Sequence, residues 1–173
     1  LKPSFGARNH DGDDRPRNTC DHCGFIDYQN PRIVVGSVVE HDGKVLLCRR
    51  AIEPRRGLWT VPAGFLEQHE SPEDGARREA YEEAEAELEI GDLLAVYTIA
   101  HISQIQLMYR ATLAKPHFAP GPESLEVELF DWDDIPVAEL AFPSVVQALD
   151  DYRRDPSGAP FKKTFDKPLA RLG

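Results

Sequence analysis

Glu79, Glu82 and Glu83 stand three and four residues apart in the chain, and this spacing constrains the fold more than any other feature. On a helix, residues separated by three or four positions share one stripe. Ser71-Pro72-Glu73-Asp74 precedes them and forms a strong helix start, with a capping serine, a proline in the first turn and an acidic residue three beyond the cap. A helix to about Ala84 is therefore predicted, with three carboxylates crowded on one side. Like charges so placed repel by a few tenths of a kcal/mol per pair, on the order of 0.2–0.5. A divalent cation converts that repulsion into a binding site, and oxygen-only donors select Mg²⁺ or Mn²⁺ rather than zinc. The charge balance agrees. The 173 residues carry a net charge of −10, and residues 67–89 hold ten acidic side chains against Arg77 and Arg78, or −8 of that total. The alternative is an exposed helix charged for solubility. It leaves unexplained why Gly64, Glu70 and Arg78-Glu79 precede the later carboxylates at these intervals.

The rest of the chain reads as strands and one further helix. Arg32–Glu40 is a β-branched run, followed by a turn at His41-Asp42-Gly43 and a returning strand at Lys44–Arg50. Further strands are predicted at Leu58–Val61, Leu93–Ile99, Gln104–Leu113 and Leu125–Trp132. Pro143–Arg154 has Val145, Val146, Leu149 and Tyr152 at helical spacing. This order predicts an α/β fold with a mixed sheet between helices. Residues 1–19 are polar and lack periodicity, so they read as loop. The expected organisation is an N-terminal extension over 1–29, one main domain over 30–154 and a C-terminal tail over 155–173, loosely ordered or docked on a partner.

The acidic balance argues against a nucleic-acid-binding protein, and the longest apolar run is too short to cross a bilayer. Three cysteines and no leader suggest a reducing, cytoplasmic setting. Cys20 and Cys23 form one knuckle, but a structural zinc takes four ligands, so bound zinc is not expected.

Gly64 to Ala86 resembles the Nudix box, Gly-x5-Glu-x7-Arg-Glu-U-x-Glu-Glu-x-Gly-U, where U is a bulky apolar residue. Gly64, Glu70, Arg78, Glu79, Glu82 and Glu83 match it. Glu85 replaces the glycine that ends the helix, and Ala80 and Ala86 are small for U. A left-handed glutamate costs around 1 kcal/mol or more, so the helix end is expected to be shifted. Tyr28-Gln29-Asn30-Pro31, Gly57 to Gly64 and Phe118 to Ser124 are similar to the ADP-ribose/FAD pyrophosphatase branch of that family. The similarity spans roughly residues 20–154. It implies a Nudix-type α/β/α sandwich with a small zinc-ribbon-like remnant at the N-terminus. The implied reaction is Mg²⁺- or Mn²⁺-dependent cleavage of the diphosphate in ADP-ribose or FAD, releasing AMP. An NADH or other dinucleotide pyrophosphatase is the alternative, although His101 to Gln106 replaces the motif typical of NADH enzymes. A catalytically silent nucleotide sensor is a further alternative.

The resemblance makes Glu79, Glu82 and Glu83 metal ligands, with the Gly64 carbonyl facing the metal from a strained loop. Arg78 would pair with Glu82 or reach back to Glu70. Glu126 is the first candidate base and Glu123 the next. Arg49 and Arg50 are candidates for the diphosphate, and Tyr97, Phe118 and Trp132 for stacking on a ring. The partner is a small nucleotide substrate. A homodimer is expected, joined through the N-terminal segment or the tail, because Phe5, Phe161, Phe165 and Leu169 lie in otherwise polar stretches.

Overall fold

The computed structural model describes residues 2 and 4–166. They form two compact units, one ending at Pro31 and one beginning at Arg32. In the first, β1 (Phe5–Arg8), β2 (Arg17–Cys20) and β3 (Ile26–Asp27) make an antiparallel sheet. Residues 1–19, predicted to be loop, thus contain two strands. Their pairing runs from Phe5 opposite Cys20 to Arg8 opposite Arg17. An Arg17–Asp13 ion pair of 2.6 Å ties the connecting loop to β2. Polar short strands of this kind are fixed by backbone pairing, which leaves no hydrophobic period to read. After β2 the chain closes a knuckle, with the Gly24 N–H donating to the Cys20 carbonyl at 3.0 Å. Backbone amides of Cys23 and His22 lower the Cys20 thiol pKa. Among the described residues no third His, Cys, Asp or Glu joins the two cysteines to complete a metal cluster.

The second unit contains β4 (Arg32–His41), β5 (Lys44–Arg50), β6 (Trp59–Thr60), β7 (Ala63–Phe65), α1 (Pro72–Ala84), β8 (Leu88–Ile99), β9 (Gln104–Leu113), β10 (Ser124–Asp131), α2 (Pro143–Arg154) and β11 (Phe161–Phe165). The sheet order is β10-β5-β4-β9-β8-β11, with β6 beside β5 and β7 beside β4. β4 and β9 run parallel, as do β8 and β11, and the other pairs are antiparallel. The sheet is therefore mixed. Alternation along the central strands divides its two faces. Val39, Leu46 and Cys48 pack with Ala80 and Ala84 of α1. Their neighbours Val38, Val45 and Leu47 pack with Val145, Leu149 and Tyr152 of α2. This is the α/β/α sandwich expected.

β11 gives an ordered strand within the stretch expected to be loosely ordered or docked on a partner. It pairs with β8 from Phe161 opposite Ala95 to Phe165 opposite Ile99. Phe165 is buried and meets Tyr97 edge-on, with ring centroids 5.9 Å apart. Phe161 packs on the same cluster. These two aromatics are thus satisfied within their own chain, and Leu169 lies outside the described residues. Among the described residues no helix is long and apolar enough to cross a membrane.

The ends of α1 explain how it is held. Ser71 Oγ accepts the Asp74 N–H at 3.1 Å. Glu85 adopts the left-handed conformation with φ of 48°, and its N–H reaches the Tyr81 carbonyl at 2.9 Å. The helix end is therefore not shifted. The strain is accepted at the position where the Nudix pattern has glycine. The loop before β10 then closes over the last turn. The Ala119 and Gly121 N–H groups donate to the Ala84 and Glu83 carbonyls at 2.8 and 3.1 Å. A Cβ on Gly121 would fall 1.8 Å from the Glu82 carbonyl oxygen, so only glycine fits.

Candidate active site

The buried face of α1 is made of Gly75, Ala76, Ala80 and Ala84 together with Glu79 and Glu83. Small residues let the helix approach the sheet closely, and that approach carries two carboxylates inward. Gly64 in β7 completes the fit. A Cβ there would lie 2.2–2.4 Å from the Glu79 carboxylate, so the missing side chain is the space Glu79 occupies. Gly64 is not among the glycines with positive φ, and it pairs with Val35 in the sheet. Its role here is close approach, in place of the strained loop expected.

Arg78 is the hub of the carboxylate cluster. Its Nε and Nη2 donate to the two Glu70 oxygens at 3.1 and 2.8 Å. Nη2 also donates to the Phe65 carbonyl at 2.9 Å. Nη1 donates to Glu79 at 2.7 Å and to Glu82 at 3.1 Å. Both pairings anticipated for Arg78 are made together, and they fasten the loop to the helix. The Glu70 carboxyl is held below its usual range by Arg78 and the Glu67 amide. Glu79 and Glu83 move the other way. Burial raises Glu79 against the pull of Arg78. Glu83 is only 5% exposed and burial pushes it up to about 8, helped by the charges of Glu79 and Glu123 and opposed by the Ala63 N–H and Arg50. The Ala63 amide, at 3.0 Å from Oε2, is the hydrogen bond Glu83 receives among the described residues.

A buried carboxylate with one hydrogen bond and like charges beside it suits a site built for a cation. Glu79, Glu82 and Glu83 are the donors available, all oxygen, which fits Mg²⁺ or Mn²⁺. Among the described residues no three such groups already converge at metal-binding distance. Arg78 draws Glu79 and Glu82 toward itself, and the Ala63 amide holds Glu83.

These carboxylates open into a cleft of about 710 Å³. The structure brings Gly64, Arg78, Glu79, Glu82, Glu83, Arg50 and Glu123 together along it. Other expected residues lie elsewhere. Arg49 donates to Glu126 at 3.2 Å and to the Gly57 carbonyl at 2.9 Å, and neither Arg49 nor Glu126 lines the cleft. Phe118 packs on the apolar cluster that contains Ala80 and Ala84. Tyr97 is fully buried and donates to Asp151 at 2.7 Å. Trp132 stacks on Tyr152 with centroids 5.4 Å apart. The aromatic rings singled out in the sequence therefore serve the core. The far wall of the cleft was missed. It comes from His101, Gln104 and Gln106, the start of α2 at Phe142–Val145, and Phe165. No local spacing links these segments; only the assembled sheet does.

Comparison with known proteins agrees with this geometry. The NUDIX domain family model matches residues 30–151, and the Nudix N-terminal model, of zinc-ribbon type, matches residues 5–29. A crystal structure of a NUDIX hydrolase from Nitrosomonas europaea is similar at 44% identity and a TM-score of 0.89, covering 95% of each chain. An ADP-ribose pyrophosphatase of Methanocaldococcus jannaschii is 29% identical over 137 residues, 76% of this chain and 78% of that protein. The NAD-capped RNA hydrolase NudC of Vibrio atlanticus is 27% identical over 159 residues, 88% of this chain and 58% of that protein. With the carboxylate helix, its arginine hub and the mixed sheet all in place, the chain belongs to the Nudix hydrolase family.

Proposed function

We propose that this protein hydrolyses the diphosphate of a nucleoside diphosphate joined to a second moiety, with ADP-ribose or FAD as substrate and AMP as one product. The observation that carries the proposal is the pair of buried, cation-seeking carboxylates, Glu79 and Glu83, at one end of a cleft of about 710 Å³. A space of that size accommodates a drug-sized or larger ligand. The similarity to an ADP-ribose pyrophosphatase supports the choice of substrate.

When bound by Glu79, Glu82 and Glu83, a Mg²⁺ or Mn²⁺ ion would offset phosphate charge and make water more acidic. The chain supplies the rest. Gly64 leaves the space in which Glu79 is held, and the Ala63 N–H orients Glu83. Arg78 locks the loop and helix in register through Glu70. Arg50 lines the cleft with its Nε occupied by the Pro54 carbonyl at 2.9 Å, which leaves its other N–H donors for phosphate oxygens. Glu53, Glu67 and Glu123 line the cleft from outside the helix, and Glu123 is the one whose charge acts on both Glu79 and Glu83, so it replaces Glu126 as the proposed base. Water adds to one phosphorus, the bridging P–O bond breaks, and the water proton passes to Glu123.

The NADH reading remains second, favoured by the similarity to NudC over 88% of the chain. A panel of ADP-ribose, FAD, NADH and diadenosine polyphosphates, each with Mg²⁺ or Mn²⁺, separates the two. ADP-ribose or FAD should give the highest kcat/KM and yield AMP. The absence of turnover on the whole panel would overturn the proposal. The same reading places the protein in the cytoplasm, in keeping with its free cysteines. It also includes a homodimer, for which Phe5, 43% exposed, offers apolar surface. A monomer mass by light scattering at micromolar concentration would remove that part.

A further inference from the structure

At the end of the cleft away from α1, strand β9 presents Gln104, Gln106 and Met108 to the cavity, since residues two apart share a face. Gln106 Nε2 donates to Gln104 Oε1 at 2.9 Å. An amide side chain carries two N–H donors and one carbonyl acceptor. That single bond leaves the Gln104 amino group and the Gln106 carbonyl oxygen without partners among the described residues. Flipping both amides exchanges which residue donates, and one donor and one acceptor still remain side by side. Ile99 pairs with Gln104 and Phe165 with Ile99, and these two with Phe142 and Val145 give the cleft apolar lining beside His101 and Ser144. A sugar, with hydroxyls on every edge, would leave polar groups against those walls, whereas a planar base would not.

We propose that Gln104 and Gln106 together read the N6–N7 edge of an adenine base. The free carbonyl accepts from the exocyclic amino group and the free amino group donates to N7, the pairing that carboxamide side chains make with adenine. The spacing suits the reaction proposed above, on which this inference rests. Gln106 pairs with Val34, and Val34 pairs in turn with Phe65, next to Gly64. Two strand spacings, about 10 Å, therefore separate the backbone of Gln106 from that of Phe65 beside Gly64. A ribose linking diphosphate to base bridges such a gap. The chemistry also explains what is rejected. Hypoxanthine presents two acceptors on the same edge, so one of them would face a carbonyl oxygen.

Two measurements test the inference. In calorimetry, AMP should bind the full-length protein at least about tenfold more tightly than IMP. In kinetics, kcat/KM for ADP-ribose should exceed that for its hypoxanthine counterpart by a similar factor. Gln104→Leu and Gln106→Leu should each bring both ratios close to one, through KM, with kcat on ADP-ribose little changed. Methionine replaces leucine in any variant that fails to fold by circular dichroism. Equal binding of AMP and IMP by the wild type, or unchanged ratios in folded variants, would overturn the readout. Turnover of both nucleotides at equal efficiency defeats the readout alone. Selective AMP binding without turnover of any diphosphate supports the readout and defeats the reaction.

Discussion

Glu83 of α1 and Asp151 of α2 are both carboxylates buried against the same sheet, and they are treated in opposite ways. Asp151 of α2 is 2% exposed and accepts from the Tyr97 hydroxyl at 2.7 Å and Gln147 at 2.8 Å. Its neighbours on the buried face are Val145, Ala148, Leu149 and Tyr152, large groups that each contribute about 1.5–3 kcal/mol when fully buried, alanine excepted. Glu83 of α1 receives one amide, and its neighbours are alanines and glycine. One helix satisfies its charge and fills space. The other leaves its charge unsatisfied and gives up apolar bulk to bring that charge close to the strands. A buried acid thus becomes a functional candidate through its missing partners, more than through its burial.

The largest effect is expected from removing charge on α1. Glu83→Gln and Glu82→Gln should each lower kcat by at least about two orders of magnitude, beyond the ten- to hundredfold that loss of a ligand's supporting partner costs. Each should leave the circular dichroism unchanged. Near wild-type turnover in either would remove α1 from the chemistry.

Glu83 also marks α1 as the helix that weakens the fold. Its ordinary value of 4.5 is pushed up to about 8 in the folded chain, so the unfolded chain ionises first. Metal-free stability should be full below 4.5, decline as pH rises toward 8, and level off above it. Melting in a chelator between pH 5 and 9 reads this decline, and Glu83→Gln should flatten it. Added Mn²⁺ should raise the melting temperature at pH 8. An equal decline in Glu83→Gln would assign the effect to other groups.

Leu149→Ala tests the other helix. It should cost about 2–5 kcal/mol in denaturant unfolding while the folded fraction keeps its kcat. A large fall in kcat would show that α2 does more than hold the sheet. The smallest change sharpens the picture of the strained helix end. Glu85→Gly should stabilise by about 1 kcal/mol, because glycine adopts φ of 48° without steric cost. A loss of stability there would mean that the glutamate side chain makes a contact worth more than the strain.

The elements legible in the sequence were those whose signal is local. The β-branched run of β4, the turn at Asp42-Gly43, the helical spacing in α2 and the Ser71 cap of α1 each declare themselves within a few residues. β1, β2 and β11 do not. Arg17-Asn18-Thr19-Cys20 and Phe161-Lys162-Lys163-Thr164-Phe165 acquire strand character from partners elsewhere in the chain. The site divides along the same line. Glu79, Glu82, Glu83, Arg78 and Glu70 are spaced along one helix and its loop, so their association could be read. Gln104, Phe142 and Phe165 meet only after β9, α2 and β11 assemble. Alternation along β10 carries no information about which face lies near the cleft, and Glu126 pairs with Arg49 outside the cleft lining.

The clasp that Ala119 and Gly121 form over the end of α1 bears on how this chain can be rebuilt. By composition, Phe118-Ala119-Pro120-Gly121-Pro122 is a surface connection of the kind where tags, fused domains or new termini are usually introduced. Lengthening it would release the Glu83 and Ala84 carbonyls and loosen the helix that carries the carboxylates. The turn at Asp42-Gly43 joins two strands already paired on either side, and among the described residues it makes no backbone hydrogen bond to another element. A circular permutant opened there should retain the hydrolase, whereas one opened between Pro120 and Gly121 should fold with its carboxylate helix frayed.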